Sequence, residues 1–115
     1  GMGVKTANYI AENYTGENIA CIMGLLEHVQ VQMFRNTFEA KVKELGKNEI
    51  VAIRDGQYTP TVAVDQAQDL IESGYEFSNL FIFNEEISAS VVRMLKTRCL
   101  LNNPIRVITT NDAPY

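Results

Sequence analysis

The sequence predicts a three-layer α/β/α domain built on a parallel sheet. Four apolar, β-rich runs, Asn18–Met23, Ile50–Arg54, Asn79–Phe83 and Ile105–Thr109, alternate with amphipathic helical patterns at Val4–Tyr14, Val29–Leu45, Thr61–Ser73 and Ser88–Leu101. Helices of this length between strands act as crossover connections, which set the strands parallel with helices over both faces. Because such crossovers are right-handed, few topologies remain, and the expected strand order is 2-1-3-4. A chain of 115 residues can build one core but not two, so residues 1–115 are expected to be a single domain.

Each element has a local reason. The first helix carries Ala7, Ile10, Ala11 and Tyr14 on one face, and Thr15 and Gly16 stop it. The first strand, Ile19-Ala20-Cys21-Ile22-Met23, is apolar on both faces, as a central strand under helices must be, and Gly24 ends it. In the second helix Val31, Phe34, Phe38, Val42 and Leu45 recur at steps of three and four, and Gly46 stands at the C′ position. The second strand, Ile50-Val51-Ala52-Ile53, runs into Arg54-Asp55-Gly56-Gln57-Tyr58, after which Thr59 reads as an N-cap with Pro60 at the first helical position. The third helix buries Ala63 or Val64, Ala67, Leu70 and Ile71, and closes at Gly74. Leu80-Phe81-Ile82-Phe83 is the third strand. Helix four has overlapping stripes through Ile87, Val91 and Leu95 and through Val92, Leu95 and Cys99, and Asn102-Asn103-Pro104 ends it before the fourth strand. Cys21 and Cys99 both read as small buried apolar residues. After the fourth strand the chain stops at Tyr115 without a covering helix. That end reads as a fragment of something larger, with a bare sheet edge or face that leaves an apolar patch or drives homo-oligomerisation.

Composition narrows the partners. Net charge is −4 and the ten Lys and Arg are scattered, so the dense basic stripe of a nucleic-acid surface is missing. The nearest approach, Arg93, Lys96 and Arg98, falls late in a helix, where cations favour the macrodipole. No apolar run approaches the ~20 residues of a membrane span, and these residues contain no charged segment leading into an apolar one of the signal-peptide kind. No direct contact with nucleic acid or membrane is expected.

The familiar catalytic and cofactor motifs are absent. Gly24-Leu25-Leu26-Glu27-His28 has one glycine and an acid where a phosphate loop or dinucleotide fingerprint needs several glycines, so no cofactor is implied. A response-regulator receiver would need acidic residues at the ends of strands one and three, and strand one has none before Glu27. Cys21 lacks a CxxC partner. His28 is the one histidine, which excludes a histidine-based metal cluster, and no serine sits in a G-x-S-x-G elbow. Glu85 and Glu86 are either a pair of catalytic carboxylates or acids placed to favour a helix N-terminus.

In open parallel sheets ligands bind at the carboxyl edge. The loops there hold His28 and Gln30, then Asp55 and Tyr58, then Asn84 and Glu85, then Asn111 and Asp112. Tyr58 joins no helical stripe; it either packs over a neighbouring loop or stacks on a ligand ring. Asn84 and Asn111 are amides that both donate and accept, which suits hydroxyl-rich ligands, or else they form Asx turns.

These positions also match a family. Gly3-Val-Lys-Thr-Ala-Asn-Tyr-Ile-Ala-Glu, Thr15-Gly16-Glu17-Asn18-Ile19-Ala20-Cys21-Ile22-Met23-Gly24, Asp55-Gly56-Gln57-Tyr58-Thr59, Phe81-Ile82-Phe83-Asn84-Glu85-Glu86 and Val107-Ile108-Thr109-Thr110-Asn111-Asp112-Ala113-Pro114 follow one another in the order and spacing of a known pattern. Over about a hundred residues the chain resembles the C-terminal lobe of type I periplasmic-binding-protein folds, the group of ribose- and galactose-type binding proteins and lactose-repressor-like sensor domains. The resemblance implies a non-enzymatic lobe that closes over a sugar-like small molecule with an N-terminal lobe absent from this chain. It implies that Tyr58 stacks on the ligand, that Asn84 bonds its hydroxyls, and that Asn111, beside Asp112, stands where an aspartate grips two hydroxyls. Where the family has a gripping arginine this chain has Phe34, on an apolar stripe, with Arg35 beside it, so the bidentate grip is lost and a weakly bound or non-sugar ligand is expected. The owner is then a solute-binding protein or periplasmic sensor outside the cytoplasm, or a cytoplasmic repressor's effector domain. The contrasting reading is a small α/β enzyme using His28 or Glu85 and Glu86.

Overall fold

The computed structural model describes residues 1–109, so Asn111 and Asp112 lie outside the described residues. Among those described, the elements are α1 (Met2–Asn13), β1 (Asn18–Met23), α2 (Val29–Leu45), β2 (Glu49–Asp55), α3 (Pro60–Glu72), β3 (Asn79–Ile82), α4 (Glu85–Thr97) and β4 (Arg106–Thr109). The strands form one parallel sheet in the order β2-β1-β3-β4, as expected.

Successive strand residues point to opposite faces, and both faces are buried. Ile19, Cys21 and Met23 of β1, Phe81 of β3 and Ile108 of β4 pack with α1 and α2. Ala20 and Ile22, Leu80 and Ile82, and Val107 pack with Ala63, Ala67 and Leu70 of α3 and Val91 and Leu95 of α4. The edge strand β2 breaks this alternation. Its register slips between Ile19 and Ala20, which pair with Ile50 and Ala52, so Val51 is an extra residue. Val51 and Ala52 therefore both face α3, while Ile50 and Ile53 face α2.

The α1–α2 side is held by aromatic packing. Phe34 and Phe38 of α2 stack on Phe81 at centroid distances of 5.1 and 5.5 Å, and Phe83 meets Phe34 edge-on at 5.1 Å. The two helices also cross closely. A Cβ at Gly3 would lie 2.9 Å from the Phe38 backbone nitrogen and 3.0 Å from the Phe34 carbonyl oxygen, a space only glycine leaves free.

At the amino edge of the sheet Arg106 ties three segments together. Its Nη1 donates to Glu17 Oε1 at 2.7 Å and to Asn79 Oδ1 at 3.0 Å, and the guanidinium lies 3.7 Å from the centroid of the Tyr14 ring. Asn79, fully buried, donates in turn to Glu17 Oε1. By contrast Arg54, which donates to Gln66 and Asp69 of α3, makes a more solvent-exposed pair.

Several boundaries depart from the sequence reading. Helix α4 starts at Glu85, a turn before Ser88, because Asn84 caps it, and it ends at Thr97 instead of Leu101. There Cys99 adopts a left-handed φ of 59°; its N–H donates to the Lys96 carbonyl and that of Leu100 to Leu95, closing a Schellman turn without glycine. Cys99 is thus beyond the helix and exposed, against the expectation of a buried thiol. Thr59 stands at the N-cap of α3, but its hydroxyl donates to the Gln57 carbonyl and does not cap. Nor is the apolar surface where a bare sheet would put it. Val107, Ile108 and Thr109 of β4 are buried, whereas Val29 (68% exposed), Met33 (64%) and Met2 (41%) are exposed on α1 and α2.

Replacing Arg106 by Ala leaves the buried Asn79 oxygen without that donor and the Glu17 carboxylate with the Asn79 amide alone, and should lower stability by about 1–3 kcal/mol in urea denaturation. Arg54→Ala, which removes a surface pair, should cost under about 1 kcal/mol. Equal losses would show that the amino-edge network is no stronger than a surface ion pair.

Candidate functional site

β1 and β3 are neighbours, yet the chain leaves their carboxyl ends towards opposite faces, from β1 to α2 and from β3 to α4. Such divergence leaves a crevice that neither loop covers, the place where open parallel sheets bind ligands. Here it is a concavity of ≈ 630 Å³, lined by Met2, by Gln30 and Phe34 of α2, by Phe83 and Asn84 after β3, and by Glu85 and Glu86 of α4. Small-molecule sites typically span roughly 300–1,000 Å³.

Depth sorts the lining by chemistry. Phe34 is 7% exposed and Phe83 half-buried, so the floor is aromatic. Gln30, Glu85 and Glu86 are exposed and form a polar rim, with Asn84 between. No Lys or Arg lines the cavity among the described residues. The rim therefore attracts hydroxyl or ammonium donors and repels anions, while the floor desolvates whatever enters.

Asn84 serves two masters. Its Oδ1 accepts from the backbone N–H of Glu86 at 2.8 Å and of Ile87 at 3.3 Å, capping α4. The Asx-turn reading of this residue is thus correct, and it leaves the Nδ2 amine as the group Asn84 offers a ligand. Glu85 and Glu86 follow in the first turn, where the helix dipole favours acids.

The neighbouring loops are organised by Asp55. Its Oδ1 accepts from the N–H of Gln57 at 2.8 Å, and its Oδ2 from that of Leu26 at 3.4 Å, linking the β1 and β2 loops. Gln57 and Tyr58 then take left-handed φ values of 53° and 52°, and the Thr59 N–H closes the turn onto the Gly56 carbonyl. This turn lays the Tyr58 ring over Gly24, where any Cβ would strike it. Tyr58 also meets His28 edge-on at 5.9 Å and packs against both cores.

Of the residues singled out by sequence, the cavity thus gathers Gln30, Asn84, Glu85 and Glu86. His28 and Tyr58 form an adjoining pair outside its lining, and Arg35 is bound to Glu39 at 3.3 Å on the side of α2, away from the cavity. Phe34 is at once core and floor. Phe83 and Met2 were missed. Phe83 carried a signal, since it stands two residues after Phe81 and so shares the face that meets α2.

Burial, with the Glu39 carboxylate nearby, pushes the Cys21 thiol far up, so it stays protonated and unreactive. Among the described residues no group of His, Cys, Asp and Glu is placed to hold a metal, and no helix is long and apolar enough to cross a membrane.

No protein-family model and no curated protein matches the sequence. Solved structures do match the fold. The chain superposes over 94% of its length on the glucose–galactose-binding protein GanP of Geobacillus stearothermophilus, with a TM-score of 0.84 at 19% identity. A solute-binding protein of Bacillus halodurans with bound myo-inositol gives 0.83 at 19% identity, covering 93% of this chain. A dimeric Lac repressor with a C-terminal deletion gives 0.82 at 14% identity, again over 93%. The chain has the fold of one lobe of type I periplasmic binding proteins. It spans 39%, 37% and 39% of those three chains, respectively. These neighbours are binding proteins and a repressor, not enzymes. In this lobe the switch-point crevice is the cavity between α2 and the start of α4.

The two ends of the Asn84 amide can be separated. Asn84→Ala removes the cap and should destabilise the lobe by about 1 kcal/mol, whereas Asn84→Asp keeps both acceptor bonds and should leave thermal stability unchanged or slightly raised. A matching loss in the Asp variant would mean that Nδ2 has a structural duty.

Proposed function

We propose that this chain is the ligand-binding lobe of a two-lobe protein that takes a neutral, hydroxyl-bearing ring compound, a sugar or polyol, into the cavity between α2 and α4. The observation that carries this reading is the cavity itself: an aromatic floor of Phe34 and Phe83 beneath the amides of Gln30 and Asn84, at the switch point between β1 and β3. Amides supply paired donors and acceptors for hydroxyls, and the aromatic floor offers an apolar surface to C–H groups of a ring. The names of the structural neighbours, which mention glucose, galactose and myo-inositol, support the same ligand class. Binding is the whole role; the lobe does not turn its ligand over. It serves a solute-binding or ligand-sensing protein, with the effector domain of a lactose-repressor-like regulator as the other owner this fold accommodates.

Tyr58, with His28 beside it, contributes to the lip of the site, and Asn111 and Asp112, outside the described residues, are further candidates for bonding ligand hydroxyls. Arg35 takes no part in this proposal, because Glu39 holds it elsewhere. With one wall and no guanidinium grip, the chain alone binds weakly, with Kd at millimolar levels or poorer, about −4 kcal/mol.

The test is a titration of the chain with neutral hexoses, pentoses and inositols, followed by amide NMR shifts. A bound ligand should move the side-chain amide signals of Asn84 and Gln30. Asn84→Asp should weaken binding several-fold, since each hydrogen bond contributes roughly 0.5–1.5 kcal/mol, while Arg35→Ala should leave it unchanged. Shifts confined to residues far from the cavity, or undiminished affinity in the Asp variant, would move the site elsewhere.

A further inference from the structure

Resting on that functional reading, we infer that the ligand enters the cavity with a deoxygenated edge first, so that the site prefers a 6-deoxy sugar to its hydroxylated parent. The argument starts from Phe34. Its ring is stacked with Phe38 and Phe81 and met edge-on by Phe83. At 7% exposure it shows the cavity at most about 15 Å² of a phenylalanine's roughly 200 Å². That is a patch of methyl size, too small to serve as a stacking platform.

The half-buried ring of Phe83 adjoins that patch, and neither residue can form a conventional hydrogen bond through its side chain. The polar groups of the lining, Gln30, Glu85 and Glu86, stand on the exposed rim, with Asn84 half-buried beside them. Of these, the Asn84 Oδ1 is committed to the cap of α4. A hydroxyl pressed onto the floor gives up water and finds no partner in return, whereas a methyl group there leaves water at a gain. Hydroxyls on the opposite edge of the same ring meet amides and carboxylates at the rim. The gradient from aromatic floor to polar rim thus selects an amphipathic ring, and it selects by orientation.

Hydrophobic pockets discriminate only moderately against an added hydroxyl, so the expected preference is about ten-fold. The experiment compares two matched pairs on the intact chain by NMR titration, D-galactose with 6-deoxy-D-galactose and D-glucose with 6-deoxy-D-glucose. In at least one pair the 6-deoxy member should bind about ten-fold tighter, and Phe83→Asn should reduce that ratio to about one. Arg35→Ala, outside the cavity, should leave the ratio unchanged, and a native-like spread of amide signals in Phe83→Asn shows that this variant folds. If the parent sugars bind as tightly as the deoxy sugars or tighter, the inference is overturned while the sugar-binding reading stands. A preference that survives Phe83→Asn also overturns it, because the floor is then not its source. If no member of either pair, and no sugar or inositol of the wider panel, shifts the Asn84 or Gln30 amides, the functional reading falls and the inference with it.

Discussion

The stack of Phe34, Phe38 and Phe81 is the contact on which the rest of the structure depends, because it fixes the helix on one side of the cleft to the strand that leads to the other. Phe81 sits in β3, fully buried between β1 and β4, and its ring is covered by two rings from α2. Two residues later the chain emerges as Phe83 and Asn84, so the distance between α2 and the start of α4 is set by where those rings meet. Each buried aromatic side chain contributes a few kcal/mol through removal from water alone. Truncation there costs about 3–5 kcal/mol, a large share of the marginal stability of a domain this size. Gly3 extends the same constraint to α1, whose start can approach α2 only because no Cβ intervenes. Met2 reaches the cavity as a consequence.

Polar groups divide between the two ends of the sheet according to what each end must do. At the amino edge, Arg106, Glu17 and Asn79 satisfy one another, and the Tyr14 ring covers the guanidinium. A network so closed rigidifies the domain and has little left to offer a ligand. At the carboxyl edge the polar groups are only partly used. Asp55 holds two loops together and Asn84 caps a helix with its oxygen, but among the described residues the Asn84 amine and the Gln30 amide have no such structural duty. Polar groups left over from structural work are thus concentrated at the end where the connections diverge and backbone groups cannot close the gap.

Particular residues show how far the sequence could be read. The apolar runs around Cys21 and Phe81 announced strands buried on both faces, and the stripe of Val31, Phe34, Phe38 and Val42 announced the face of α2 that covers them. Gln30 and Asn84 were legible as site candidates because Asn84 stands just after β3 and Gln30 at the start of the helix that the loop after β1 opens. Arg35 was misleading: its neighbour Phe34 points into the core, so Arg35 projects about 100° around the helix, where Glu39 one turn on captures it. Cys99 was misleading because the helical stripe continues through it, while the left-handed turn that ends α4 there uses no glycine to mark itself.

By itself the sequence determined the layers, the strand set and the strand order. Those follow from hydrophobic period and from chirality, which act over a few residues and are written in them. The tertiary structure decided which carboxyl-edge side chains share one cavity. Tyr58 was placed over Gly24 by a left-handed turn at two non-glycine residues, and Asn84 was divided between cap and cleft by the exact start of α4. Phe34 became the floor through rings contributed by a strand that lies about forty-seven residues further along the chain. Contacts of that kind depend on how far apart two packed elements come to rest, a distance set by summed side-chain volumes across the core and carried by no local pattern.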